Sequence, residues 1–403
     1  MANGFARAFI TTLDEREGRD LATSDDVARL AGVSRATVSR TLSGNAKVNE
    51  ETRRRVEAAA ASLGYVPDMA AQSLSGGPSR TIAISFFADD MWALSQLTKP
   101  KHYFYLNVLR SIEAGAAAAG YDLLLPTRPH EAEAGSQSYV RRLRARRVAG
   151  TIMVACPPDD VRILALLEAR LPTVFIDAVA AGPCATWVTS ENHEGAQAVT
   201  RHLIELGHRR IARITGTETD PSGGERLRGI RAALAAARIP EDPGLHRRSD
   251  WSTEGAYRAA GDLLEARPDL TAIVAESDMM AIGVLRALHE HGLRVPQDVS
   301  VTGFDDIDLA AYTLPSLTTV RQDTEAMGGG AVKALLEFVG GEPRKNGGPS
   351  KNDGPGKNGG PDKNGGTGKN GGTGKTGRTP EPLRPPTELV VRHSTAPPRI
   401  TDR

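Results

Sequence analysis

Residues 24–42 read SDDVARLAGVSRATVSRTL, and within them Arg35, Ala36, Ser39 and Arg40 recur at one- and four-residue spacings. On a helix such spacings put side chains on a common face. Val38 and Leu42, also four apart, then fall on the opposite face and can pack inward. An outward arginine can bond guanine through two parallel hydrogen bonds, and a small apolar side chain can touch a thymine methyl. The pattern suits the reading of base edges, although a small helical bundle with a solvated polar face has the same spacing. A second group lies far downstream: Asp177 follows the apolar run PTVFI, Asp278 follows AIVAES, and Asp305 stands in GFDD. Carboxylates just past strand ends can accept hydrogen bonds from a ligand, or can cap a helix or turn.

The first group needs a compact helical frame. Residues 25–30 predict a short helix with Val27 and Leu30 inward, Gly32 permits a tight turn, and Ser34 caps the helix that follows. This is a helix-turn-helix pattern, whose second helix can enter a major groove. A third helix is expected after Asn49, with Glu50 and Glu51 at its positive end and Val56 and several alanines packing on the first two. The second group needs a larger scaffold. Apolar runs at 81–87, 122–126, 150–155, 172–177, 211–215, 272–275 and 300–304 alternate with helical patterns at 106–119, 160–169, 193–206, 226–237, 252–266 and 279–291. That alternation predicts parallel βαβ units, and their number predicts two doubly wound lobes.

Composition narrows the classes. The chain has 403 residues and a formal net charge of +1, so any charge that meets nucleic acid must be local. Cys156 and Cys184 have no metal-ligand spacing and are too few for a disulfide framework; reduced thiols and a cytoplasmic location are expected. No apolar run is long enough to span a bilayer, and the opening residues lack a secretory apolar stretch. His193, His202 and His208 lie near acids, but no strand-borne nucleophile or HExxH accompanies them. GTETDPSGGERLRG lacks the spacing of a phosphate-binding GxxxxGK[ST] loop. The expectation is a protein that is not an enzyme and uses no metal or cofactor. Lys345, Lys351, Lys357, Lys363, Lys369 and Lys375 recur every six residues, mostly as KNGG. So little apolar content predicts a linker, inserted before a last strand-like TELVVR.

From Thr23 through Gly76 the chain resembles the LacI/GalR repressor family, on the segments DVARLAGVSRATVSRTLSG and VNEETRRRVEAAAASLGYVPDMAAQSLSGG. The resemblance implies a three-helix headpiece and a hinge helix. It implies base contacts from Arg35, Ala36 and Arg40, and phosphate or backbone contacts from Thr23, Ser34, Thr37, Ser39, Asn45 and Lys47, which set register rather than specify sequence. Leu74 matches the leucine that wedges into the minor groove, and Ala71 would let paired hinge helices approach. From Thr23 to Gly77 there are seven basic and six acidic residues, so placement must create the positive face and salt sensitivity should be moderate.

Downstream, HLIELGHRRIARITG, GGERLRGIRAAL, SDMMAIGVLRALHEHGLRVPQDVSVTGFDD and LPSLTTVRQD resemble the same family's regulatory domain, with a periplasmic-binding-protein-like fold. The resemblance implies an effector cleft formed by Asp177, Arg226, Trp251, Ser277, Asp278, Asp305 and Gln322, with Phe86, Phe87 and Phe104 either on its wall or in the core. Trp251 is either a stacking ring or simply buried. Carboxylates, an arginine and an aromatic ring suit a polyhydroxylated ligand. Ser277 departs from an Asn-Asp pair common in the family, and residues 88–102 suggest a longer loop after the first strand. The expected molecule is an all-α helix-turn-helix headpiece joined to an α/β two-lobed domain with two doubly wound parallel sheets. The boundaries are a tail at 1–21, a headpiece at 22–66, a hinge at 67–79, an effector and dimerisation domain at 80–340, an insertion at 341–385 and a final strand and tail at 386–403. The partners expected are operator DNA, a small-molecule effector and a second copy of the chain, with the helix at 106–116 in the dimer face and no membrane. A sugar or sugar derivative is the expected effector; a purine or another metabolite, or a sugar-binding receptor without a transcriptional role, are the alternatives.

Overall fold

The computed structural model describes residues 22–42, 48–65, 79–86, 102–126, 136–217, 220–340 and 380–399. The chain divides into two compact units, Met1–Ser79 and Arg80–Arg403.

In the first unit, α1 (Ser24–Ala31), α2 (Arg35–Leu42) and α3 (Glu50–Leu63) enclose a small core of Val27, Ala28, Ala31, Val38, Val56, Ala59 and Ala60. Thr23 starts α1 through a reciprocal cap: its hydroxyl accepts from the Asp26 amide at 3.3 Å, and the Asp26 carboxylate accepts from the Thr23 amide at 2.9 Å. Gly32 ends α1 at φ 64°, the left-handed conformation that the turn requires. The Ser34 hydroxyl accepts from the Thr37 amide at 3.2 Å, and Asn49 accepts from the Thr52 amide at 2.8 Å, as the capping expectations require. One expectation fails: Leu30 is 58% exposed. The inward stripe of α1 runs through Val27, Ala28 and Ala31, and this leaves Leu30 on its flank. The turn is also clamped from α3, where Arg55 Nε donates to the Ala31 carbonyl at 3.1 Å and Nη2 to that of Gly32 at 3.2 Å.

The second unit carries two parallel sheets. The first is ordered β2-β1-β3-β4-β5, from β1 (Thr81–Phe86), β2 (Asp122–Leu124), β3 (Gly150–Val154), β4 (Thr173–Ile176) and β5 (Ala185–Val188). Its helices are α4 (Tyr103–Ala118), α5 (Ser136–Ala145) and α6 (Val161–Glu168). The second sheet is ordered β7-β6-β8-β9, from β6 (Ile211–Thr215), β7 (His246–Arg248), β8 (Ala272–Ala275) and β9 (Ser300–Thr302). It carries α7 (Asn192–Glu205), α8 (Pro221–Ala236), α9 (Thr253–Ala266) and α10 (Asp278–Glu290). Strands such as β3 and β8 are buried on both faces, which is why they read as continuous apolar runs rather than alternating ones. Helices approach closely where a side chain would not fit: a Cβ at Gly229 would lie 2.2 Å from the His193 carbonyl oxygen, and one at Gly283 2.1 Å from that of Thr253.

The chain passes between the lobes more than once. It leaves β5 through Thr189 and Ser190 into α7. After β10 (Thr319–Gln322) it returns as α11 (Thr324–Gly340), which packs on α4 and on β3, β4 and β5 of the first lobe. The late segment then re-enters: Leu383 bridges Val188, and β11 (Thr387–Val390) pairs antiparallel with β10. Strands β5, β7 and β10 and helices α5 and α11 were not among the sequence expectations. No described helix is long and apolar enough to cross a membrane.

Candidate functional site

On α2 the side chains of Arg35, Ala36, Ser39 and Arg40 are all exposed, on the face opposite buried Val38. Arg35 is 71% exposed and reaches only the Asp25 carboxylate, at 3.7 Å. Arg40 Nε donates to the Ala36 carbonyl one turn back, at 3.1 Å, which lays the guanidinium along the helix. Thr37 is partly covered and its hydroxyl meets that of Ser34 at 2.9 Å. Thr23 Oγ1 also donates to Asp26 Oδ2 at 2.7 Å, so its hydroxyl has a structural task at the helix start. Asn45, Lys47, Ala71, Leu74 and Phe87 lie outside the described residues, as do nearly all of the 88–102 loop and the lysine repeat.

In the second unit a cavity of about 220 Å³ opens where the carboxyl ends of the two sheets face each other, the usual place for a ligand in open α/β sheets. From the first lobe it is lined by Phe104, Tyr105, Ala155, Cys156 and Asp177; from the second by Asp220, Ser222, Arg226, Asp250, Trp251, Ser277 and Asp305. Ala155, Asp177, Trp251 and Asp305 hold positive φ of 50°, 53°, 66° and 119°. Strained backbone of this kind persists where surrounding structure over-determines it, and it clusters at ligand sites.

Arg226 is the hub. It is 6% exposed. Its Nε donates to Asn192 Oδ1 at 2.8 Å, its Nη1 donates to the Glu276 carbonyl, and Nη1 lies 3.5 Å from Asp305 Oδ1. Its guanidinium sits 3.8 Å from the Phe304 ring centroid and 5.8 Å from that of Trp251. Asp305 also accepts from Gln322 Nε2 at 2.7 Å. Burial pushes the Asp305 carboxyl up to about 7, against the pull of Arg226. Asp177 accepts from Thr189 Oγ1 at 2.7 Å and from the Tyr105 hydroxyl at 3.2 Å. Burial raises its pKa too, and the charge of Asp220 adds to that rise. Trp251 lies against glycine backbone: a Cβ at Gly216 would fall 1.9 Å from its ring, and one at Gly223 2.9 Å.

Six of the expected effector residues, Phe104, Asp177, Arg226, Trp251, Ser277 and Asp305, thus line one cavity. The Ser277 hydroxyl caps α10, accepting from the Met280 amide at 3.2 Å. Asp278 and Gln322 stand behind the wall. Asp278 is fully buried and accepts from the Ile307 amide at 2.9 Å and from the Thr319 hydroxyl, so it ties the loop after β9 to β10. Gln322 acts through Asp305. Phe86 belongs to the hydrophobic core. Tyr105, Asp220, Ser222 and Asp250 were not anticipated. Asp220 had a signal: it precedes Pro221, the arrangement of a helix cap followed by proline in the first turn. Tyr105 had none, because its partner Asp177 is far away in sequence.

Comparison with known proteins agrees with this geometry. Residues 23–68 match the model of bacterial regulatory proteins of the lacI family, and residues 200–349 match a periplasmic binding protein-like domain. The HTH-type transcriptional regulator CelR of Thermobifida fusca is 34% identical over 332 residues, which cover 81% of this chain and 94% of that protein. The HTH-type transcriptional repressor PurR of Vibrio atlanticus is 33% identical over 321 residues, covering 79% and 92%. Among solved structures, the lac repressor dimer bound to operator and the anti-inducer ONPF superposes with a TM-score of 0.71 at 28% identity, over 94% of this chain and all of that one. A CelR–cellobiose complex superposes with a TM-score of 0.63 at 30% identity, over 93% of this chain and 99% of that one.

Proposed function

The chain belongs to the LacI family of bacterial transcriptional regulators, and from that premise we propose that it is a repressor that binds a near-palindromic operator as a homodimer and is controlled by a sugar held in the cavity. It works in the cytoplasm and catalyses no reaction. The observation that carries the effector half is the cluster of buried Arg226 and Asp305 with half-buried Trp251 at the strand ends. It offers donors, acceptors and a ring face together, which is what a polyhydroxylated ring requires. The base-reading half rests on Arg35, Ala36 and Arg40, exposed on one face of α2. Thr23, Ser34, Thr37 and Ser39 would set register on the phosphates, with Asn45 and Lys47 beside them and Ala71 and Leu74 in the hinge. The boundaries at 22–66, 67–79, 80–340, 341–385 and 386–403 stand as the domain reading.

For the dimer, the support is apolar surface that the described residues leave exposed or only partly covered. Tyr312 is 81% exposed and Leu314 95%, adjacent in one segment after β9, and Leu106 and Leu109 stay half-buried on α4. A ligand shifts such a regulator only through its different affinity for the DNA-bound and released states. Selection of bound duplexes from a randomised pool by the purified chain should return a two-fold symmetric motif; an asymmetric motif or none overturns the operator reading. Thermal shifts with cellobiose, glucose, hypoxanthine and guanine should then single out a sugar, because binding to the native state raises Tm. Stabilisation by a purine alone would favour the purine reading instead, which the similarity to PurR keeps in view.

A further inference from the structure

The cavity is far more acidic than a neutral sugar requires. Asp177, Asp220, Asp250 and Asp305 line it, and Arg226 is the cation among the described lining residues. Arg226 is already committed, with Asp305 beside it and its other donors on Asn192 and the Glu276 carbonyl. Asp177 and Asp220 have no cation within ion-pair distance among the described residues. Asp177 is held by two neutral hydroxyls, and Asp220 by the amides of Ser222 and Gly223 at 2.8 and 3.4 Å. Those amides engage only Oδ1 of Asp220. An independent sign of a missing partner sits next to them: Ser222 lines the cavity, is 6% exposed, and its hydroxyl has no hydrogen-bond partner among the described residues. Buried carboxylates are costly unless a countercharge offsets the lost hydration. Arg226 acts on both from a distance, but burial outweighs it: Asp177 and Asp220 are both raised, with Asp220 also adding to the rise at Asp177.

We propose that the effector is cationic, a polyhydroxylated ring bearing a protonated amine, with the ammonium received by Asp220 and Asp177 and Asp220 acting as the residue that selects it. This rests on the sugar-sensor reading and narrows its ligand to the amino sugars. A neutral hydroxyl at the same place can donate a hydrogen bond but brings no charge to add to that of Arg226. A sugar phosphate or uronic acid would add a like charge and be rejected.

The test uses the intact chain and titration calorimetry at neutral pH with matched ligands: glucosamine against glucose, and the β-1,4-linked glucosamine disaccharide against cellobiose and against its di-N-acetyl form. The amine should bind about tenfold tighter than its hydroxyl parent or better, and N-acetylation, which removes the charge, should abolish the gain. Asp220→Asn keeps a good helix-capping side chain and removes only the charge. It should erase most of the amine preference, read as the ratio of amine to neutral-parent affinity within the same variant, so that any change in affinity for the neutral parent cancels. Equal or weaker binding of the amine, or a preference that survives Asp220→Asn, overturns the proposal while the sugar reading stands. Failure of every one of these sugars to bind overturns both.

Discussion

The outward face of α2 and the cavity of the second unit are built on opposite principles. Arg35 stands in solvent with one loose ion pair to Asp25, worth little because water and salt screen it. Arg226 is buried, with Asn192, Asp305, Phe304 and the Glu276 carbonyl around it. On α2 the side chains wait for a partner that brings its own charge and shape. In the cavity they hold one another, so a change made for function also acts on stability. Recognition of DNA and sensing of the effector should therefore break in different ways.

The largest effect is expected on α2. Replacing Arg35 and Arg40 together by alanine removes the two donors proposed to read base edges, each worth about 1–3 kcal/mol of discrimination in that role. Specific over non-specific retention should fall by roughly two orders of magnitude or more, while circular dichroism and dimer mass stay those of the parent. Unchanged sequence preference would break the contrast at its simplest point. Arg226→Ala should do the reverse. Removing one partner of a buried ion pair costs about 3–5 kcal/mol, so thermal unfolding of the second unit should shift sharply downward. Ligand response should vanish, and specific DNA retention should persist at temperatures below that transition.

The same contrast decides what could be read from sequence. The α2 face was legible because all its determinants lie within one turn-length pattern: Gly32 for the turn, Ser34 for the cap, Val38 inward. Even there Leu30 misled, because an apolar residue three after Val27 fits the period, yet the core accepts Ala28 and Ala31 instead. The cavity was legible where a residue follows a strand, as with Asp177 and Asp305. It was illegible where the site depends on long-range assembly. Tyr105 meets Asp177 across 72 positions, and Asp278 turns away from the cavity because Ile307 and Thr319 come to it. Short strands such as β7, of three residues, are defined by their sheet neighbours rather than by their own composition.

Glu276 offers a smaller and sharper test of the buried side. It is 2% exposed, its Oε2 accepts from the Gly216 amide at 2.9 Å, and its Oε1 has no partner among the described residues. Burial pushes the carboxyl from the ordinary 4.5 to about 8. Between those two values the folded chain holds a proton that the unfolded chain has released, so stability falls as pH rises through that window and the loss is complete above about 8. Glu276→Gln removes this loss. Its Tm relative to the parent should be smallest near pH 5, climb to about pH 8 and level off by pH 9. A difference that is flat with pH would mean the carboxylate is already compensated, and the contrast with exposed Arg35 would lose one of its supports.

The smallest effect separates two tasks given to one hydroxyl. Thr23 caps α1, and it is also proposed to touch the DNA backbone. Thr23→Ala should cost about 1 kcal/mol of headpiece stability, and this alone weakens DNA binding slightly. Thr23→Asp distinguishes the tasks: aspartate also caps a helix, but its charge falls beside the Asp26 carboxylate that the hydroxyl now donates to and so costs some headpiece stability. DNA affinity is therefore compared with that of Thr23→Ala well below both unfolding transitions. If the hydroxyl faces a phosphate, Thr23→Asp binds DNA more weakly than Thr23→Ala, with the difference shrinking as salt is added. If it serves the helix alone, the two variants bind DNA equally. In the second outcome, even a residue at the edge of the exposed face would be bound to its own fold, as Arg226 is, and the division between the two regions would be one of degree.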